Sequence, residues 1–111
     1  MKTIYLDASA STPIDKEVMN EMQKFFENEY GNAGSMHHKG LIASNTLKDS
    51  RKKVAEIFNA KENEIIFTGS GTESINLAIK GYALKNKSKG NHIITTTIEH
   101  YSVLDSLKYL E

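Results

Sequence analysis

Between positions 15 and 28, Val18, Met22, Phe25 and Phe26 recur at steps of four and three, the period of one helix face. This predicts a helix, with Asp15 as its N-cap. A second helical pattern runs from about His38 to Phe58 through Leu41, Ser44, Leu47, Val54, Ile57 and Phe58. Lys48, Asp49, Lys52, Lys53 and Glu56 fall mostly on its other side, and the triplet Arg51-Lys52-Lys53 reads as a solvated face. A third helix is expected through Ile75, Ala78, Ile79 and Tyr82, ended by Asn86-Lys87-Ser88-Lys89-Gly90. A fourth runs through Leu104, Leu107 and Leu110, with Ser102 and Asp105 spaced like a capping box at its start.

Short apolar runs alternate with these helices. Ile4-Tyr5-Leu6 reads as a brief strand, ended by small and hydroxylated residues up to Thr12-Pro13. Glu64 to Thr68 and His92 to Thr96 are rich in β-branched residues and are expected to be strands. The segment from Glu29 to Ser35, with two glycines and an Asn, is a loop. Strand, helix, strand, helix is the order of an α/β layer. Two strands make no sheet, and the chain stops at Glu111 in or at the end of a helix, so the pattern is expected to be the first part of a larger domain.

Composition narrows the function. In 111 residues, 14 Lys plus Arg balance 14 Asp plus Glu, which leaves no net charge to hold nucleic acid phosphates. Hydrophobic residues at 39% and charged residues at 25% fit a chain with a folded core. Cysteine is absent, which removes disulfides, thiolate metal sites and a cysteine nucleophile from these residues. Runs such as Ile65-Ile66-Phe67 fall far short of the roughly 20 apolar residues that cross a bilayer. No apolar stretch follows Met1-Lys2-Thr3 in the manner of a signal peptide, and cytoplasmic residence is expected.

The strongest chemical signal is Thr68-Gly69-Ser70-Gly71-Thr72-Glu73, a glycine turn between a strand and a helix. Backbone N–H groups and the positive end of a helix dipole converge there, and Ser70 and Thr72 add hydroxyls, so the turn can seat a phosphate. It has neither the lysine of a P-loop nor the third glycine of a dinucleotide fingerprint, since Ser74 stands in that place. A turn that merely joins two elements would look the same, and the segment by itself leaves both readings open. His100 follows the 92–96 run at the edge where α/β sheets bind ligands, and its imidazole could stack or move a proton. Alone, it reads more readily as an ordinary loop histidine. His37-His38 lacks partners at metal-ligand spacing, and no metal site is expected.

Taken together these pieces resemble the N-terminal portion of cysteine desulfurases of the NifS/IscS type, in the class V aminotransferase group of pyridoxal-phosphate enzymes. Tyr5-Leu6-Asp7 with the run to Thr12-Pro13 is similar to the family's Y-L-D-N-A-A-T-T-P. Gly31-Asn32-Ala33-Gly34-Ser35-Met36-His37 and Gly40 resemble its G-N-P-S-S-x-H-x-x-G. Ile65 to Ser74 with Asn76 to Gly81 resembles I-x-F-T-S-G-x-T-E-x-x-N-L-A-I-K-G, and His92 to Thr95 with Glu99-His100 and Val103-Leu104 resembles H-I-I-T and E-H-x-x-V-L. Ala8 departs from the family's Asn, and Ala33-Gly34 from its Pro-Ser.

The resemblance implies an α/β fold, the N-terminal part of a fold-type I large domain with an incomplete sheet. Residues 1–30 would be an arm and first helix, and residues 31–111 the start of the α/β layer. It implies pyridoxal 5'-phosphate as cofactor, its phosphate held by Gly71 and Thr72, with His100 over the pyridine ring as both cofactor contact and catalytic group. The implied reaction takes sulfur from L-cysteine, giving L-alanine and an enzyme persulfide for iron–sulfur cluster assembly or other sulfur transfer. The implied partners are a sulfur-acceptor or iron–sulfur scaffold protein and a second copy in a homodimer, with neither nucleic acid nor membrane. The Schiff-base lysine, the pyridine-pairing Asp and the sulfur-accepting cysteine belong to family regions beyond these residues, so the chain alone is expected to be inactive. A phosphate-binding module without catalysis, a split or degenerate subunit, a selenocysteine lyase and another class V relative are the alternatives.

Overall fold

The computed structural model describes residues 3–111; Met1 and Lys2, part of the expected non-signal N-terminus, lie outside the described residues. Four α-helices follow one another: α1 (Lys16–Glu27), α2 (His38–Ile57), α3 (Gly71–Lys85) and α4 (Tyr101–Lys108). They divide between two compact units, Met1–Ile65 and Ile66–Glu111.

In the first unit, α1 begins as its sequence dictates, because the Asp15 carboxylate accepts the Glu17 amide at 2.8 Å. Its apolar stripe has no cover: Val18, Met22 and Phe26 are exposed and no residue of α1 is buried. α2 starts on an imidazole, with His37 Nδ1 accepting the Gly40 amide at 3.3 Å. Two glycines explain the loop before it. A Cβ on Gly31 would land on the Lys39 carbonyl, and one on Gly40 would land on the Ser35 carbonyl, so backbone passes where any side chain would stand. Lys39 Nζ lies 3.6 Å from the Tyr30 ring centroid and donates to the Asn28 carbonyl at 3.2 Å, bracing the same loop.

Arg51 belongs to the structure more than to the solvent. Its Nε donates to the Ile65 carbonyl at 3.1 Å, fastening the end of this unit to α2, while Lys52 and Lys53 are exposed as a solvated face requires. The expected solvated triplet is thus a pair.

In the second unit α3 packs on α4, and Lys80 Nζ sits 4.6 Å from the Tyr109 ring centroid. The fourth helix does not open on Ser102 and Asp105. Its N-cap is His100, whose ring nitrogen accepts the Ser102 amide, and Ser102 lies inside the first turn.

The expected strands are not formed. Among the described residues no β-ladder occurs: residues 4–6, 65–68 and 92–96 carry no regular structure, and Glu64 belongs to the 3-10 turn Glu62–Glu64. A strand is completed by a neighbouring strand that takes its N–H and C=O groups in a ladder, and among the described residues these runs form no such ladder. Ile66 and Ile94 are consequently 66% and 86% exposed. The expected core is correspondingly small. Ala55 is the one buried hydrophobic residue among those described, joined by Ser102 and Ser106.

Candidate functional site

The turn ahead of α3 is built by its own side chains. Ser70 is the N-cap, and its Oγ accepts the Glu73 amide at 3.2 Å. Glu73 returns the favour one residue further back, its carboxylate accepting the Gly69 amide at 2.7 Å. Behind them, the Thr68 and Ser74 hydroxyls lie 2.6 Å apart, and each donates within reach of the Ser70 carbonyl, at 3.0 and 3.2 Å. Ser74, which breaks the dinucleotide fingerprint, therefore serves the turn itself. Asn76 Nδ2 donates to the Thr72 carbonyl at 2.9 Å and steadies the first helical turn.

This arrangement selects which donors remain. A helix leaves its first four amides without intrahelical partners. Of the amides here, those of Gly69 and Glu73 go to side chains, and that of Ser74 goes to the Ser70 carbonyl at 3.1 Å. Gly71 and Thr72 keep exposed amides with no hydrogen bond to another described residue, and the Thr72 hydroxyl has none either. A Cβ on Gly71 would meet nothing within 4 Å. Unpartnered N–H groups, a hydroxyl and open space at the positive end of a 15-residue helix are what an anionic oxygen cluster requires. The set of free amides is narrower than the sequence suggests, because the Gly69 amide is already engaged.

His100 stands in the same unit, at the start of α4. Its Nδ1 accepts the Ser102 amide at 3.1 Å and lies 2.8 Å from Ser102 Oγ, while the Tyr101 ring meets it edge-on at 6.4 Å between centroids. Thr96 Oγ1 donates to the Glu99 carboxylate at 2.9 Å, pinning the turn that precedes it. No hydrogen bond joins His100 to Gly71 or Thr72 among the described residues. The supporting roles of Glu73, Ser74 and Ser102 escaped the reading of the sequence, although Ser70-x-x-Glu73 carries the spacing of a capping box.

His37 spends its Nδ1 on the α2 cap, and no cluster of metal-binding side chains occurs among the described residues. An open apolar groove of about 900 Å³ runs along the later turns of α3, between Ile79, Tyr82, Val103 and Leu107, but touches neither Gly71, Thr72 nor His100. No helix of the described residues is long and apolar enough to cross a membrane.

The described residues form no β-ladder yet carry the family's motifs in order, and the family itself is shown directly. Residues 4–111 match the model of Aminotransferase class-V, and the chain belongs to that family. Its relatives are cysteine desulfurases by name. It is 44% identical over 110 residues to the cysteine desulfurase IscS of Dictyoglomus turgidum, a match covering 99% of this chain and 28% of that protein. It is 50% identical over 111 residues to the cysteine desulfurase IscS of Buchnera aphidicola, covering 97% of this chain and 28% of that protein. Among solved structures it is similar to a NifS-like protein, with 40% identity, a TM-score of 0.89 and coverage of 96% of this chain and 29% of the other. A structure titled SspA in complex with cysteine gives 38% identity and a TM-score of 0.87 over 97% of this chain and 31% of that one. The chain thus spans a little over a quarter of the length of the curated relatives it matches.

Proposed function

We propose that residues 1–111 furnish the phosphate seat and the ring-covering imidazole of a pyridoxal-phosphate-dependent cysteine desulfurase. The observation that carries this reading is the pair of unpartnered amides at Gly71 and Thr72, beside an unengaged hydroxyl and open space. These fit a phosphate monoester: the amides donate to its oxygens, the Thr72 hydroxyl adds a third donor, and the helix dipole favours its charge. The Glu73 carboxylate, tied to the Gly69 amide, holds the turn in shape and is not free to swing across the seat. His100 would lie over the ring, orienting it by stacking and presenting its outer nitrogen to the reacting groups.

Bound pyridoxal phosphate supplies the electron sink for breaking the carbon–sulfur bond of L-cysteine, giving L-alanine. The sulfur passes to a thiolate that these residues do not contain, since the chain has no cysteine. By itself the chain is therefore inactive in this reading. It works as part of a homodimeric, cytoplasmic enzyme that hands sulfur to an acceptor or iron–sulfur scaffold protein.

A graft tests it. Residues 1–111 replace the matching segment of the Dictyoglomus turgidum relative, and the chimera is assayed with L-cysteine and excess dithiol reductant, which reduces the enzyme persulfide to thiol and sulfide, for alanine and sulfide. Equimolar formation of both is expected. A folded chimera that binds pyridoxal phosphate and yields neither would overturn the desulfurase reading.

A further inference from the structure

The imidazole of His100 is not free to choose its tautomer. A backbone N–H can only donate, and the Ser102 amide is aimed at Nδ1 at 3.1 Å, so that nitrogen must present its lone pair. Ser102 Oγ, 2.8 Å from the same nitrogen, then has one consistent role, which is to donate as well. Two donors from one residue converge on Nδ1, and in the neutral ring the proton must reside on Nε2.

The surroundings make this arrangement stiff. Ser102 is only 7% exposed, and the Ser106 hydroxyl, 1% exposed, donates to the Ser102 carbonyl at 2.6 Å. The hydroxyl of Ser102 is therefore held inside the first turn of α4, away from competing water, while the His100 residue itself is exposed and its Nε2 has no partner among the described residues. His37 offers a natural comparison, because it caps α2 through Nδ1 in the same way but has no hydroxyl beside it.

We infer that Ser102 is a positioning residue that locks His100 as the Nε2–H tautomer, so that the neutral ring meets its ligand as a hydrogen-bond donor and a stacking plate, and not as a base through Nε2. The lock stands on the geometry of α4 alone; its consequence for the reaction rests on the cofactor reading given above. Losing the hydroxyl leaves the weaker amide contact, and one hydrogen bond of ordinary strength corresponds to a change of roughly two- to tenfold in the tautomer ratio.

The test is two-bond ¹H–¹⁵N correlation spectroscopy on the full chain labelled with ¹⁵N-histidine, in alkaline buffer where imidazoles are neutral. Wild type should show a protonated, pyrrole-type Nε2 and a pyridine-type Nδ1 for His100. Ser102→Ala should lower the Nε2–H to Nδ1–H ratio of His100 by roughly two- to tenfold while leaving His37 unmoved. Ser102→Cys keeps the size of the side chain and replaces the hydroxyl with a weak donor, so it should show the same direction even if the Ala variant does not fold. A wild-type His100 that is mainly Nδ1–H, or variants that fold with the wild-type ratio, would overturn the lock. Inorganic phosphate added to the same samples separates the two ideas. Shifts at the Gly71 and Thr72 amides with an unmoved His100 ratio in the variants would sink the lock and keep the anion seat. A responsive ratio without those shifts would keep the lock and sink the seat.

Discussion

The Glu73 carboxylate accepts the Gly69 amide at 2.7 Å, across four residues and from the helical side of the turn. An ordinary capping box would send this side chain to the N-cap residue itself, Ser70. Reaching one residue further leaves the Ser70 amide exposed beside those of Gly71 and Thr72 and takes Gly69 out of the set.

From this follows a prediction for exchange. Glu73→Ala should speed hydrogen exchange at the Gly69 amide by about fivefold or more, the loss of one hydrogen bond of about 1 kcal/mol. Glu73→Gln keeps an acceptor oxygen and should recover most of the protection. Equal exchange at Gly69 in all three proteins would show that the contact contributes nothing in solution.

Gly40 should be the least replaceable glycine of the first unit. A methyl there meets the Ser35 carbonyl and the Ser35 side chain, both of which belong to the loop that enters α2. Because the obstacle is backbone, relief requires the loop to move, and Gly40→Ala should cost about 1–3 kcal/mol. Urea denaturation followed by the signal of α2 measures it. Gly81→Ala is the control: its Cβ would meet nothing within 4 Å, and helix propensity favours the change.

Local order was legible in the chain, and order that depends on distant partners was not. Asp15, the apolar steps of α1 and the long pattern of α2 place both helices within a residue or two, because caps and periodicity act over a few positions. The start of α3 just after the glycine turn was equally readable, since a glycine turn and a helix start are local. The β-branched runs 65–68 and 92–96 misled for the opposite reason. Their composition suits a sheet, but a ladder is a property of two segments, and neither run joins a β-ladder among the described residues. The start of α4 was misread because Ser102 and Asp105 have cap-like spacing, whereas the cap is an imidazole nitrogen, a less common acceptor at that position. Residues acting through another, such as Glu73 on Gly69 or Ser102 on His100, depend on side-chain direction that spacing does not encode.

On the surface of α1, Lys24 donates to the Glu21 carboxylate at 2.7 Å. That hydrogen bond first, and the Lys24 charge with it, hold the Glu21 carboxyl below the ordinary 4.5, with a further contribution from Lys53 against slight desolvation. A carboxyl with a depressed folded pKa stabilises the fold above its unfolded pKa, and the contribution disappears as pH falls through the folded value. The window therefore opens below pH 4.5. Lys24→Met should raise the Glu21 pKa toward 4.5 in a carboxyl-detected NMR titration and remove that part of the acid sensitivity of α1. An unmoved titration would mean that the pair is not formed in solution.

The two residues proposed to hold the phosphate should fail in different ways. Gly71 stands where an added Cβ meets nothing within 4 Å, so Gly71→Ala should leave the fold intact or slightly stabilise α3. The same methyl occupies the space through which a phosphate must approach the amides, and affinity for pyridoxal phosphate in the grafted enzyme should fall by about tenfold. Thr72→Val keeps the shape and the amide and removes only the hydroxyl, which has no partner within the described residues. Its loss should cost one hydrogen bond to a charged oxygen, about 1.5–3 kcal/mol, or roughly tenfold to a hundredfold in affinity. Inorganic phosphate should compete with the cofactor less well in both variants, whereas a defect confined to the ring would leave that competition unchanged. Cofactor fluorescence titrations with and without phosphate distinguish these outcomes, and wild-type affinity in both variants would place the anion somewhere other than the start of α3.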